Sequence, residues 1–181
     1  RRSVLADWLP RAFTASPGGL VQVERECSSF AGSDASTRLG FTTISTIDLS
    51  GPTTDHSTLL ASADLAYASS RYFYLAVRHE WYRRRTETRV REDYSYLFQY
   101  DLTSDGRSVR AAGAGSTPGT ILNSFSMDED GGYLRVASTR RTWLGWQLKS
   151  LTNGLVVLRA SDGRLQQVGE LTGLARDEQL Y

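Results

Sequence analysis

Apolar and polar residues alternate with a period of two along most of this chain. The segments LVQVERECSSF (20–30), LGFTTISTIDLSG (39–51), YFYLAVR (72–78), YSYLFQYDL (94–102), RSVRAAGAG (107–115), YLRVAST (133–139), LVVLRA (155–160) and RLQQVGEL (164–171) are short, rich in β-branched and aromatic residues, and bounded by Gly, Asp, Asn and Ser. A pleated backbone puts successive side chains on opposite faces, so such runs predict strands. Only the beginning reads differently. VLADWL (4–9) sets Val4, Leu5, Trp8 and Leu9 at helical spacing, and Pro10, which lacks an N–H and disfavours helix before it, closes the run. The expectation is a short N-terminal helix with its linker over 1–19, followed by all-β structure over 20–181.

The strand segments repeat. SDGR stands at 104–107 and again at 161–164, YLAV at 74–77 returns as YLRV at 133–136, and IDLS at 47–50 anticipates YDLT at 100–103. All three pairs are separated by about 53 to 59 residues, and the long segments HEWYRRRTETRVRED (79–93) and RRTWLGWQLKSLTNG (140–154) fall at equivalent places between them. The unit is a strand, a long loop, a strand, a tight Asp-Gly turn and a strand. Repeats of short antiparallel strands at about this period predict propeller blades, lengthened here by the long loops, whereas a β-sandwich needs no such repeat. In each SDGR, Asp and Gly tolerate the positive φ of a hairpin turn, so the motif joins strands and implies no catalysis.

Composition narrows the partners. Of 181 residues, 40% are hydrophobic and 23% charged, enough for a real core. Twenty-one basic residues against 20 acidic ones leave a formal charge of +1, so no global field draws the chain to nucleic acid or to an anionic membrane surface. Lys149 is the single lysine, which reads as coding bias rather than recognition. No run of 18 apolar residues exists to cross a bilayer as a helix, and no signal peptide or lipidation motif is visible. Cys27 stands alone and has no intramolecular disulfide partner, which leaves the redox compartment open.

The order WLPRAF, a Cys-bearing strand, STIDL, YASSRYFYLAV, YLFQYDL, VRAAGAG, LVVLRA and VGELTGLARDEQLY, and above all PGTILNSFSMDEDGGYLRVAST (118–139), closely resembles bacterial and archaeal secreted proteins with a C-terminal β-propeller domain distantly related to WD40 repeats. The likeness runs from Trp8 to Tyr181. It implies a propeller, and a secreted or cell-envelope location, while carrying over no activity. The family's propeller continues beyond the equivalent of EQLY. The resemblance therefore implies a partial propeller of about three blades, whose remaining blades come from elsewhere.

Candidate chemistry is sparse. Asp128, Glu129 and Asp130, followed by two glycines, supply oxygen ligands for calcium, but the regular Asp spacing and distal Glu of an EF-hand loop are missing. The same residues make a tight acidic turn, and that reading weighs more. Ile121, Leu122, Phe125 and Met127 are expected to fill the space between blades. His56 beside Asp55 and His79 beside Glu80 are too few for a three-His metal site, and GAGSTPG (113–119) is neither a GxSxG elbow nor a Walker loop. Trp81, Tyr82, Arg83, Arg84 and Arg85 in the first long loop, with Trp143 and Trp146 in the second, form a candidate ligand or partner rim, since aromatic and arginine side chains dominate interface hot spots. Interleaved Glu87, Glu92 and Asp93 dilute the field of the basic cluster, which speaks against a nucleic-acid partner and for a solvated loop.

The chain therefore reads as an envelope-associated or secreted binding or scaffold module without an assignable activity or cofactor. The alternative is a propeller-based hydrolase or lyase acting on an extracellular polymer. The partners expected are another protein, a second copy of the chain, or the remaining blades on another polypeptide. Leu171, Leu174 and Leu180 are expected to pack against that partner.

Overall fold

The computed structural model describes residues 3–4, 7–23, 25–51, 54–79, 90–102, 108–178 and 180. Its elements are β1 (Ala12–Ser16), β2 (Gly19–Val23), β3 (Phe30–Ala31), β4 (Thr42–Ile47), β5 (Thr54–Leu59), β6 (Leu65–Ala68), β7 (Tyr72–Arg78), β8 (Val90–Glu92), β9 (Tyr94–Leu102), β10 (Val109–Pro118), β11 (Met127–Asp130), β12 (Tyr133–Leu144), β13 (Gln147–Ser161) and β14 (Arg164–Leu174). Between them lie single 3-10 turns at Cys27–Ser29 and Ser124–Ser126.

The strands assemble into three blades. β3, β5 and β4 form a three-stranded sheet; β6, β7, β9 and β10 form a four-stranded antiparallel meander, and β11 to β14 form a second. The two meanders touch edge to edge through one parallel pairing, Ala114 with Arg164. β1 and β2 make a separate hairpin that runs across the expected boundary at residue 19.

The sequence repeat maps onto this plan. YLAV lies in β7 and YLRV opens β12, each the second strand of its meander, while IDLS starts on the last residue of β4 and the YDL of YDLT closes β9. The second SDGR joins β13 to β14, with φ of 50° at Asp162 and 72° at Gly163, the left-handed pair a tight hairpin demands. The first SDGR, at 104–107, lies outside the described residues.

Blade packing explains why YFYLAVR lacks a polar side. Tyr74 and Ala76 face the third blade, in a core with Leu97, Ile121, Met127, Leu134, Val136, Val156 and Leu158. Leu75 and Val77 face the first blade, with Leu59, Ala61, Phe98, Tyr100 and Val109. A strand covered on both faces must be apolar at every position.

The expected N-terminal helix is not formed among the described residues. Asp7 donates its N–H to the Val4 carbonyl, and its carboxylate accepts the Val4 N–H at 3.0 Å, which makes an isolated turn. A six-residue segment stopped by Pro10 is too short to offset helix nucleation without packing, and Trp8 is 69% exposed. Leu5 lies outside the described residues.

Candidate functional site

The chain passes from the second blade to the third through PGTILN, which is tied to both. The buried Ser95 hydroxyl donates to the Gly119 carbonyl at 2.9 Å, and the Gly119 N–H donates to the Asp93 carbonyl at 2.6 Å. From the other side the Ser138 hydroxyl donates to the Pro118 carbonyl at 2.6 Å, and Thr120 pairs with Thr139 in both directions. Ile121 and Met127 fill the space between blades as expected. Leu122 and Phe125 do not: Leu122 is at the surface and Phe125 is 95% exposed, because the Asn123 side chain accepts the Phe125 N–H and holds a turn that throws the ring outward.

The acidic knot is a hairpin. Asp128 to Asp130 belong to β11, and Gly131 and Gly132, both at positive φ, turn the chain into β12. Along a strand the two aspartates share one face and Glu129 takes the other. Arg135, directly across from Asp128, binds its carboxylate at 2.7 Å and lies 3.9 Å from that of Asp130. Glu129 instead accepts the Gly132 N–H, and its own N–H donates to the Tyr67 hydroxyl. The Asp128 and Asp130 carboxylates thus share Arg135 while that of Glu129 lies on the other face, and no group of three His, Cys, Asp or Glu is arranged to hold a metal among the described residues.

The two long segments meet. β8, the last part of the first, pairs antiparallel with the far end of β12 in the second: Glu92 opposite Thr142, Arg91 opposite Trp143, Val90 opposite Leu144. Trp146, at the hairpin tip, is 75% exposed, and the Arg91 guanidinium sits 5.7 Å from its ring centroid while donating to the Gly145 carbonyl. Trp81, Tyr82, Arg83, Arg84 and Arg85 lie outside the described residues.

Below this pairing opens a cleft of about 420 Å³, lined by Arg78, His79, Asp93, Tyr94, Thr120, Arg141 and Trp143. The ends of β7 and β9, the interblade crossing and the outer part of β12 supply these side chains. Arg141 and Asp93 form an ion pair at 3.6 Å, each about one-fifth exposed, and the Asp93 N–H donates to the Arg141 carbonyl. His79 shares a hydrogen bond through Nδ1 with the Tyr96 hydroxyl, and burial pushes the Tyr96 phenol above its ordinary range. Of the two predicted rim residues that are described, Trp143 lines this cleft and Trp146 does not. Arg78, Tyr94, Thr120 and Arg141 were not legible as site residues, although each long segment follows a strand directly and opens on or beside a basic residue, Arg78 in YLAVR and Arg141 in TRRTW.

A protein-family model described as a beta propeller domain matches residues 1–181. Among curated proteins, the uncharacterized protein MJ1554 of Methanocaldococcus jannaschii is 37% identical over 90 residues, covering 50% of this chain and 13% of that protein. An uncharacterized protein of Archaeoglobus fulgidus is 42% identical over 73 residues, covering 40% of this chain and 10% of its own length. No solved structure matches the chain.

Proposed function

The chain belongs to the beta propeller domain family, and from that premise we propose that it is a binding or scaffold module that works outside the cytoplasm, secreted or held at the cell envelope. The observation that carries the reading is the β8–β12 pairing, which sets the described end of the first long segment against the second at one end of the blades, above an open cleft. The opposite end carries the tight Asp162-Gly163 turn. Loops set on a rigid sheet scaffold are where such folds place their contacts. The WD40-like ancestry and the exported location rest on the resemblance of 118–139 to secreted propeller proteins.

The blades themselves complete the module. Propellers close with four to eight blades, so the open face of the third blade takes further blades of the same propeller. Ala137, Leu155 and Leu171 stand in register across β12, β13 and β14 on that face, and Leu171 is 58% exposed.

A photo-crosslinking residue placed at position 146 in the full-length protein is expected to give discrete adducts in the exported or envelope fraction. The same residue at position 162, at the opposite end, is expected to give none. Equal labelling from both positions, or recovery of the protein in the cytoplasmic fraction alone, overturns the proposal.

A further inference from the structure

We infer that the cleft between the second and third blades recognises an acidic saccharide, a sugar unit bearing a single carboxylate such as a hexuronic acid. The inference rests on the binding-module reading and names its ligand class. Charge comes first. Arg78 and Arg141 face one carboxylate, Asp93, so the lining residues hold one positive charge more than they neutralise. Arg141 is the partner of Asp93; among the described residues no carboxylate pairs with the Arg78 guanidinium. The exposed Arg78 side chain, lining the cleft, is the group we assign to grip the anion, since a guanidinium matches a carboxylate with two parallel hydrogen bonds.

The rest of the lining selects for hydroxyl groups. Asp93, held in place by Arg141, accepts hydrogen bonds, while the Tyr94 and Thr120 hydroxyls both donate and accept. A ligand with closely spaced multiple charges would be repelled by Asp93, whereas one with a single charge and several hydroxyls satisfies both ends of the cleft. Trp143 adds a flat apolar wall whose N–H serves at its edge, the surface on which the C–H face of a pyranose packs. The volume of about 420 Å³ falls within the range of about 300–1,000 Å³ usual for small-ligand sites. The cleft is open to solvent, so a sugar within a longer polymer enters without the chain ends being freed.

The test is calorimetric titration of the protein with trigalacturonate and, in parallel, with a neutral trisaccharide. Saturable binding of the acidic sugar is expected, with the neutral one at least about tenfold weaker. Arg78→Gln and Trp143→Ala are each expected to weaken trigalacturonate binding at least about tenfold. Arg78 has an exposed side chain, so its variant keeps the fold and gives a clear reading even where Trp143→Ala melts early. No heat with the wild type, equal affinity for both sugars, or unchanged affinity in Arg78→Gln overturns the inference. Discrete adducts at position 146 without trigalacturonate binding would leave the module reading standing and remove this one.

Discussion

Tyr74 and Tyr100 are both about 1% exposed, yet their hydroxyls meet different surroundings. Gln99 donates its amide N–H to the Tyr74 hydroxyl at 3.0 Å, whereas the Tyr100 hydroxyl, in the core between the first and second blades, has no hydrogen-bond partner among the described residues. Burial raises both phenols, Tyr100 to about 12 and Tyr74 further. Because an unfolded phenol titrates near about 10, the folded state holds these protons more tightly. The stability they contribute is whole below about pH 10 and is lost as the pH climbs through the folded values. Tyr100→Phe removes an unpaired polar atom and is expected to stabilise by up to about 1 kcal/mol, whereas Tyr74→Phe strands Gln99 and costs about 1–3 kcal/mol. Urea melts at pH 7 and pH 11 check both signs: Tyr100→Phe should lose less stability than wild type between the two. A destabilised Tyr100→Phe would show that its hydroxyl is bonded after all. None of this was legible in YLFQYDL, which announces a buried strand but not which polar atoms find partners across blades. DEDGG was legible at the same scale as a turn before a strand, but not that the period of a strand sets Glu129 on the face opposite to Asp128 and Asp130.

At the scale of elements the repeat carried most of the information. Strand order within a blade and the placing of the long segments followed from local alternation and from turn residues, which act within a few positions of themselves. The contact between β10 and β14 did not, since it depends on how closely two blades approach. Gly115 is the clearest instance. A Cβ there would lie 2.5 Å from the Leu165 carbonyl oxygen and 2.7 Å from the Leu165 Cβ, so AAGAG is a smooth edge against the neighbouring blade and not a flexible loop. At Gly163 a Cβ meets nothing within 4 Å, and the demand for glycine comes from φ alone. Gly163→Ala is expected to cost about 1 kcal/mol. Gly115→Ala must push the blades apart and is expected to cost about 1–3 kcal/mol or more. Thermal or urea denaturation of the pair decides the matter, and a Gly115→Ala protein no weaker than Gly163→Ala would show that the seam between blades yields freely.

In the whole molecule the blades are not equivalent. The second is covered on both faces, and its central strands are apolar at nearly every position. The first blade turns a polar face outward, where Thr43 bonds Thr58 at 2.8 Å and Ser45 bonds His56 at 2.9 Å. The third leaves Leu155 and Val157 half-buried beside the exposed Leu171. That asymmetry gives a direction to further assembly: among the described residues, the apolar face left open is the third blade's. Full burial of a leucine is worth about 1.5–3 kcal/mol, so covering the exposed Leu171 and the remaining surface of the half-buried Leu155 and Val157 would add a few kcal/mol to a domain stability of about 5–15 kcal/mol. In the 181-residue chain by itself, a second copy is expected to cover that face. Light scattering at micromolar concentration should then show a concentration-dependent rise above the monomer mass. Leu171→Lys, which sets a charge on the open face without touching the interblade cores, is expected to return the chain to a monomer while leaving its thermal melt almost unchanged. A wild-type chain that stays monomeric across the concentration range would mean that the three blades are stable with this face in water, and would remove the energetic reason for anything to dock there.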